Sequence, residues 1–244
     1  MKKNRMMRLA SGLLVAVLLT TCTISGTFAK YATTASGSDT ARVAKWDVQI
    51  SGIADGLFAK TYAKDTETNI ENTVVASEEV VAPGTRNDTG VTFSLTGTPE
   101  VAVKIDIVVK GSNSDTITDV VLPTGTYTDW TQAPYTDTFD LSAPYNPVVF
   151  TLKDGAITLK TGTLAQIEAY LEAKTDEYAA GTDLSKIFDE NGTGTYTLTW
   201  DWAFSGNDKA DTLLGHLASG TQPAIANAST GIDFAIVITA TQIN

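Results

Sequence analysis

The sequence predicts an all-β protein, a two-sheet antiparallel β-sandwich of jelly-roll type with one inserted helix and a short rim helix. Three observations carry this. Apolar and polar residues alternate over eight or more positions in several segments, the period of a strand with one covered face. The alternate positions stay largely polar, as in antiparallel sheets that bury each other, whereas parallel sheets covered on both sides read as continuous apolar runs. The chain also holds 39 Thr, whose β-branched side chain fits a pleated, half-exposed surface better than a helix.

In chain order, Ala44, Trp46, Val48 and Ile50 alternate with Lys45, Asp47, Gln49 and Ser51. Val91, Phe93 and Leu95 form the next apolar face. Val101, Val103, Ile105, Ile107 and Val109 then give a long, nearly ideal strand. Pro134, Pro144 and Pro147 punctuate a loop before Val148, Phe150 and Leu152. Thr163 and Gln166 form a capping-box pattern, and Leu164, Ile167, Tyr170 and Leu171 recur at helical spacing in a segment that Gly181 ends. Tyr196, Leu198, Trp200, Trp202 and Phe204 make the most aromatic strand. A short helix is expected from Lys209 to Leu217, capped by Asn207 or Asp208. The last strand presents Ile232, Phe234, Ile236, Ile238 and Ala240. Trp46, Phe93, Tyr196, Trp200, Trp202 and Phe234 are the expected core aromatics, the tryptophan pair being read as core in preference to a sugar platform because it shares a face with Tyr196 and Leu198. With 43% apolar and 18% charged residues in 244, and no repeat or hydrophilic linker, one sandwich domain over residues 43–244 is the economical reading.

The N-terminus has the layout of a secretory signal peptide. Basic residues up to Arg8 precede the apolar run Leu9 to Leu19, followed by small and hydroxylated residues. The run is short for a membrane span. Cleavage between Ala29 and Lys30 is expected, making 1–29 the signal peptide and leaving 215 residues. An uncleaved anchor and a lipid-modified Cys22 remain open alternatives, the latter disfavoured by Thr21 where Gly or Ala is usual. Cys22 is the one cysteine in the chain, so cleavage removes any route to a disulfide, a thiolate metal site or a Cys nucleophile.

Beyond residue 29 stand 13 basic against 28 acidic residues, a net charge of −15. Such a body repels nucleic acid and anionic lipid, so no nucleic-acid partner is expected, and membrane contact only through the signal segment. Groups for catalysis are scarce. His216 is the single histidine, and neither a His-Glu-x-x-His motif nor a nucleophile elbow is present. Asp65-Thr66-Glu67-Thr68-Asn69 begins like a calcium loop, but Ile70 replaces the turn glycine and Ala76 the closing glutamate. Asp189-Glu190-Asn191-Gly192 reads as a turn with spare carboxylates. No cofactor, no metal site and no catalytic residue is expected.

The string GTFAKY from Gly26 to Tyr31, a polar Thr/Ala/Ser stretch and then ARVAKWDV resemble the junction of TasA and camelysin-like exported proteins. VAPG (Val81 to Gly84), TYTLTWDW (Thr195 to Trp202), ADTLLG (Ala210 to Gly215) and the ending ATQIN are similar to further parts of that family. The resemblance implies processing by a SipW-type signal peptidase in a Gram-positive bacterium. It also implies secretion to the cell surface or extracellular matrix, and head-to-tail assembly with itself or a related matrix subunit into biofilm fibres by N-terminal strand addition (donor-strand complementation). The extended segment 30–42 is then the candidate donor, with Lys30, Tyr31, Ala32, Thr33, Thr34, Ala35 and Ser36 as its polymerising part. That segment has few large apolar residues and satisfies its backbone by pairing with an exposed sheet edge, or else frays. Camelysin-type relatives have been called metallopeptidases, for which this sequence offers no ligand set. The expected function is a non-catalytic structural subunit; a monomeric surface recognition or adhesion module is the alternative, and a secreted metallopeptidase a remote one.

Overall fold

The computed structural model describes residues 42–52, 57–58, 61–62, 73–74 and 79–243. The chain divides into two compact units at Val43 and Ala44, and the fold below is that of the second. The expected signal peptide, its cleavage point, the expected donor segment apart from its last residue Arg42, and the rejected calcium loop at 65–69 lie outside the described residues.

The architecture is mostly antiparallel strands with two helices among the described residues. One sheet has the order β1 (Gln49–Ser51), β4 (Arg86–Thr96), β11 (Thr195–Trp202), β8 (Val148–Asp154), β9 (Ile157–Gly162). A second has the order β10 (Asp176–Tyr178), β5 (Val103–Lys110), β12 (Ala235–Gln242). Two small ladders complete it, β2 (Thr61–Tyr62) with β3 (Thr73–Val74), and β6 (Gly125–Thr128) with β7 (Thr138–Leu141). Helix α1 is Leu164–Glu172 and helix α2 is Asp208–Ala218.

Alternation dictates the core. Val103, Ile105, Ile107 and Val109 of β5 are buried, as are Val148, Phe150 and Leu152 of β8 and Tyr196, Leu198, Trp200 and Trp202 of β11. These join Val91, Phe93 and Leu95 of β4, and Leu164, Ile167 and Leu171 of α1, in one hydrophobic cluster. Ring contacts tie it together: Phe93 to Tyr196 at 5.0 Å, Phe188 to Tyr196 at 4.5 Å, and Phe150 to the half-buried Phe234 at 6.0 Å.

Two aromatic expectations are corrected. Trp46 is 41% exposed and belongs to no strand. Its neighbour Asp47 takes φ +32°, outside extended geometry. The Asp47 carboxylate pairs with Lys45 at 2.8 Å and accepts from the Thr98 N–H at 3.3 Å, so the alternation from Ala44 is broken and β1 keeps three residues. Phe204 is 49% exposed because β11 ends at Trp202 and the chain turns. The first helix also stops at Glu172 instead of running toward Gly181, and 176–178 pair with β5 as β10. Glu172 and Thr175 explain the stop: their side chains accept from the Val109 and Ile107 N–H groups at 3.0 and 2.8 Å, covering β5 where β10 is too short to reach.

The start of β11 depends on one buried carboxylate. Asp154, 1% exposed, accepts from the Thr193 N–H and hydroxyl at 2.8 and 2.6 Å and from the Gly194 N–H at 3.2 Å. Gly194 has φ +72°, and a Cβ there would lie 2.5 Å from the Leu95 carbonyl, so only glycine fits. Asp154→Ala orphans these donors and is expected to cost about 3 kcal/mol in denaturant unfolding.

Candidate functional site

Among the described residues, four strands form the edges of the two larger sheets: β1, β9, β10 and β12. Three are blunted. β1 and β10 have three residues each, β10 carries Asp176 and Glu177, and β9 carries Lys160 opposite a register shift at Leu152/Lys153. β12 is different. Its eight residues, AIVITATQ, include no charge and no proline, and its pairing with β5 runs without a register shift from Ala235↔Lys110 to Gln242↔Val103.

The polarity of that edge follows from one bond. The Ile243 N–H donates to the Ala102 carbonyl at 3.0 Å, so antiparallel alternation turns the N–H and C=O of residues 241, 239, 237 and 235 toward β5. Those of Ile236, Ile238, Ala240 and Gln242 therefore point to the open side, where no backbone partner stands among the described residues. The side chains of Ile236, Ile238 and Ala240 pack against the core, which fixes the register of the edge. On the outer face Val237 stands opposite Val108 and both are exposed. The result is a regular row of backbone groups without a backbone partner among the described residues, a template for a further strand.

The other sequence candidates are dispersed. His216 lies in the last turn of α2, its Nδ1 2.8 Å from the Thr221 hydroxyl and its ring 5.4 Å from Trp130. Asp189 Oδ1 accepts from the Asn191 N–H at 2.8 Å, closing its own turn. Among the described residues no group of three or more His, Cys, Asp or Glu side chains is placed to hold a metal ion. Trp200 and Trp202 lie in the core, as their spacing predicts, and each donates its indole N–H: Trp200 to the Leu57 carbonyl at 2.9 Å, Trp202 to Asp211 at 3.1 Å. Asp211 also accepts from the Tyr145 hydroxyl at 2.7 Å, and burial pushes both acids up.

One ionisable group missed in the sequence is Asp119. It accepts from the Leu164 N–H at 3.2 Å and the Val120 N–H at 2.8 Å, capping α1 from 45 residues away. Burial pushes its carboxyl up to about 6 despite those donors. A raised carboxyl means that the folded state holds its proton more tightly than the unfolded chain, so this residue's contribution to stability declines as pH rises from about 4 to about 6. Asp119→Asn removes the charge and keeps an acceptor, and is expected to raise stability at pH 7 by about 1 kcal/mol, after discounting for partial exposure, and to flatten that slope. Urea midpoints from pH 4 to 8 check this.

No helix among the described residues is long and apolar enough to cross a membrane. Compared with known proteins, the chain matches no family model, no curated protein and no solved structure.

Proposed function

We propose that this chain is a secreted, non-catalytic structural subunit of the TasA-like kind, a jelly-roll sandwich that assembles head-to-tail with copies of itself or a related subunit at the surface of a Gram-positive cell. The observation that carries the reading is the open, uncharged, eight-residue edge of β12. An added strand bonds to the N–H and C=O groups of Ile236, Ile238, Ala240 and Gln242, and the small and hydroxylated residues of 30–40 suit such a strand because they need no deep pockets. Donor and acceptor are different segments, so each addition leaves a fresh edge and the series does not close. The acidic body restrains lateral clumping. Electron microscopy of purified chain beginning at Lys30 tests the reading: unbranched fibres are expected, and protein that stays monomeric at high concentration turns it toward a surface recognition module.

A further inference from the structure

A second feature lies where the loop of the β6–β7 hairpin packs on α2. Both ends of α2 are tied to the hairpin loop. Lys209 Nζ pairs with the buried Asp129 carboxylate at 2.8 Å, and the His216 ring packs on Trp130 at 5.4 Å. Tyr135 also packs on Trp130, the ring centroids 5.1 Å apart and the planes tilted by 32°. Its backbone is at φ +60°, a strained conformation for an aromatic residue, and the residue is 45% exposed. Beside the Lys209 end, a cleft of about 440 Å³ opens between β7 and the start of α2, lined by Phe139, Leu141, Asp140, Asn207, Asp208 and Lys209.

We infer that this surface binds a neutral, gluco-configured β-linked glycan, with one sugar stacked on Tyr135 and the next units entering the cleft. A pyranose with equatorial hydroxyls presents C–H groups to an aromatic face and directs its hydroxyls sideways, where carboxylate and amide oxygens accept them. Asp140, Asp208 and Asn207 are exposed acceptors of that kind, and Asp140 is oriented by the Thr126 hydroxyl at 2.6 Å. Charge selects the class. Asp129 engages the Lys209 ammonium and Asp137 acts on it as well, while Asp140 and Asp208 line the same cleft, so an anionic polysaccharide is repelled while a neutral one is not. This inference is independent of the assembly reading.

The test is calorimetric and NMR titration of the secreted chain with cellohexaose and chitohexaose, with a hexagalacturonate as the anionic comparison. Saturable binding of a neutral hexamer, with the Trp130 and His216 resonances shifting, is expected. Tyr135→Ala should weaken it about tenfold or more, Tyr135→Phe should keep it, and Asp140→Asn with Asp208→Asn should weaken it while leaving the fold intact. Absence of saturable binding by both neutral hexamers, equal binding of the anionic one, or unchanged affinity in Tyr135→Ala would overturn it.

Discussion

Deleting residues 30–40, or placing proline at Ala240, is expected to abolish fibre growth and leave a folded monomer. The two changes act on opposite partners of one contact. Ala240 has its N–H on the open side of β12, so proline there removes a donor from the incoming strand and none from the ladder with β5. Its side chain is small and only half-buried, so the core suffers little. Each lost backbone bond is worth about 0.5 to 1.5 kcal/mol net, and an edge that offers only four residues loses affinity steeply when one donor goes and its neighbours are displaced. Thr34→Pro with Ser36→Pro should act likewise from the donor side. Light scattering and microscopy read the assembly, and circular dichroism reads the fold. Fibres from the truncated chain would sink strand addition by 30–40, whereas fibres from Ala240→Pro alone would move the acceptor to another edge.

The largest stability effect is expected at Trp200. It is 2% exposed, packs on Phe58 at 5.6 Å and donates to the Leu57 carbonyl. Trp200→Ala leaves a large cavity beneath β4 and β8 and is expected to cost about 3 to 5 kcal/mol. Part of the polar loss is softened because Asn87 Nδ2 donates to the same carbonyl at 2.8 Å. Trp46→Ala should cost about 1 kcal/mol or less, since the residue is 41% exposed and leaves no enclosed cavity when truncated. The same two substitutions therefore separate the aromatic residue that alternation placed correctly from the one it did not. Denaturant midpoints for both, measured side by side, check the contrast; equal losses would contradict the assignment of Trp46 to the surface.

The difference between those tryptophans explains how far the sequence could be read. β5 and β11 were legible because each has paired neighbours on both sides, so the period of two is imposed along most of their length. At Asp47 a single residue with positive φ, fixed by Lys45 and Thr98, ends the period while the composition still alternates. In β4 the residues 88–90 stand opposite the single Thr199, with Gly90 at φ +66°, a bulge that no periodicity announces. The β6–β7 hairpin has strands of four residues, too short for a pattern, and its proline-bearing loop reads as irregular chain. Capping of α1 by Asp119 is a contact between distant segments and leaves no local mark. The apolar face of β12 was visible in its alternation; that its other edge is unpaired depends on strand order, which the sequence does not spell out.

Amide hydrogen exchange on assembled and monomeric protein tests the central claim most directly. In the monomer made by deleting 30–40, the N–H groups of Ile236, Ile238, Ala240 and Gln242 face solvent and should exchange fast, while those of Val237 and Thr239 are held by β5. Assembly of the chain beginning at Lys30 should slow the first set strongly and change the second little. Fibres in which Ile236, Ile238 and Ala240 exchange as fast as in the monomer would contradict the account.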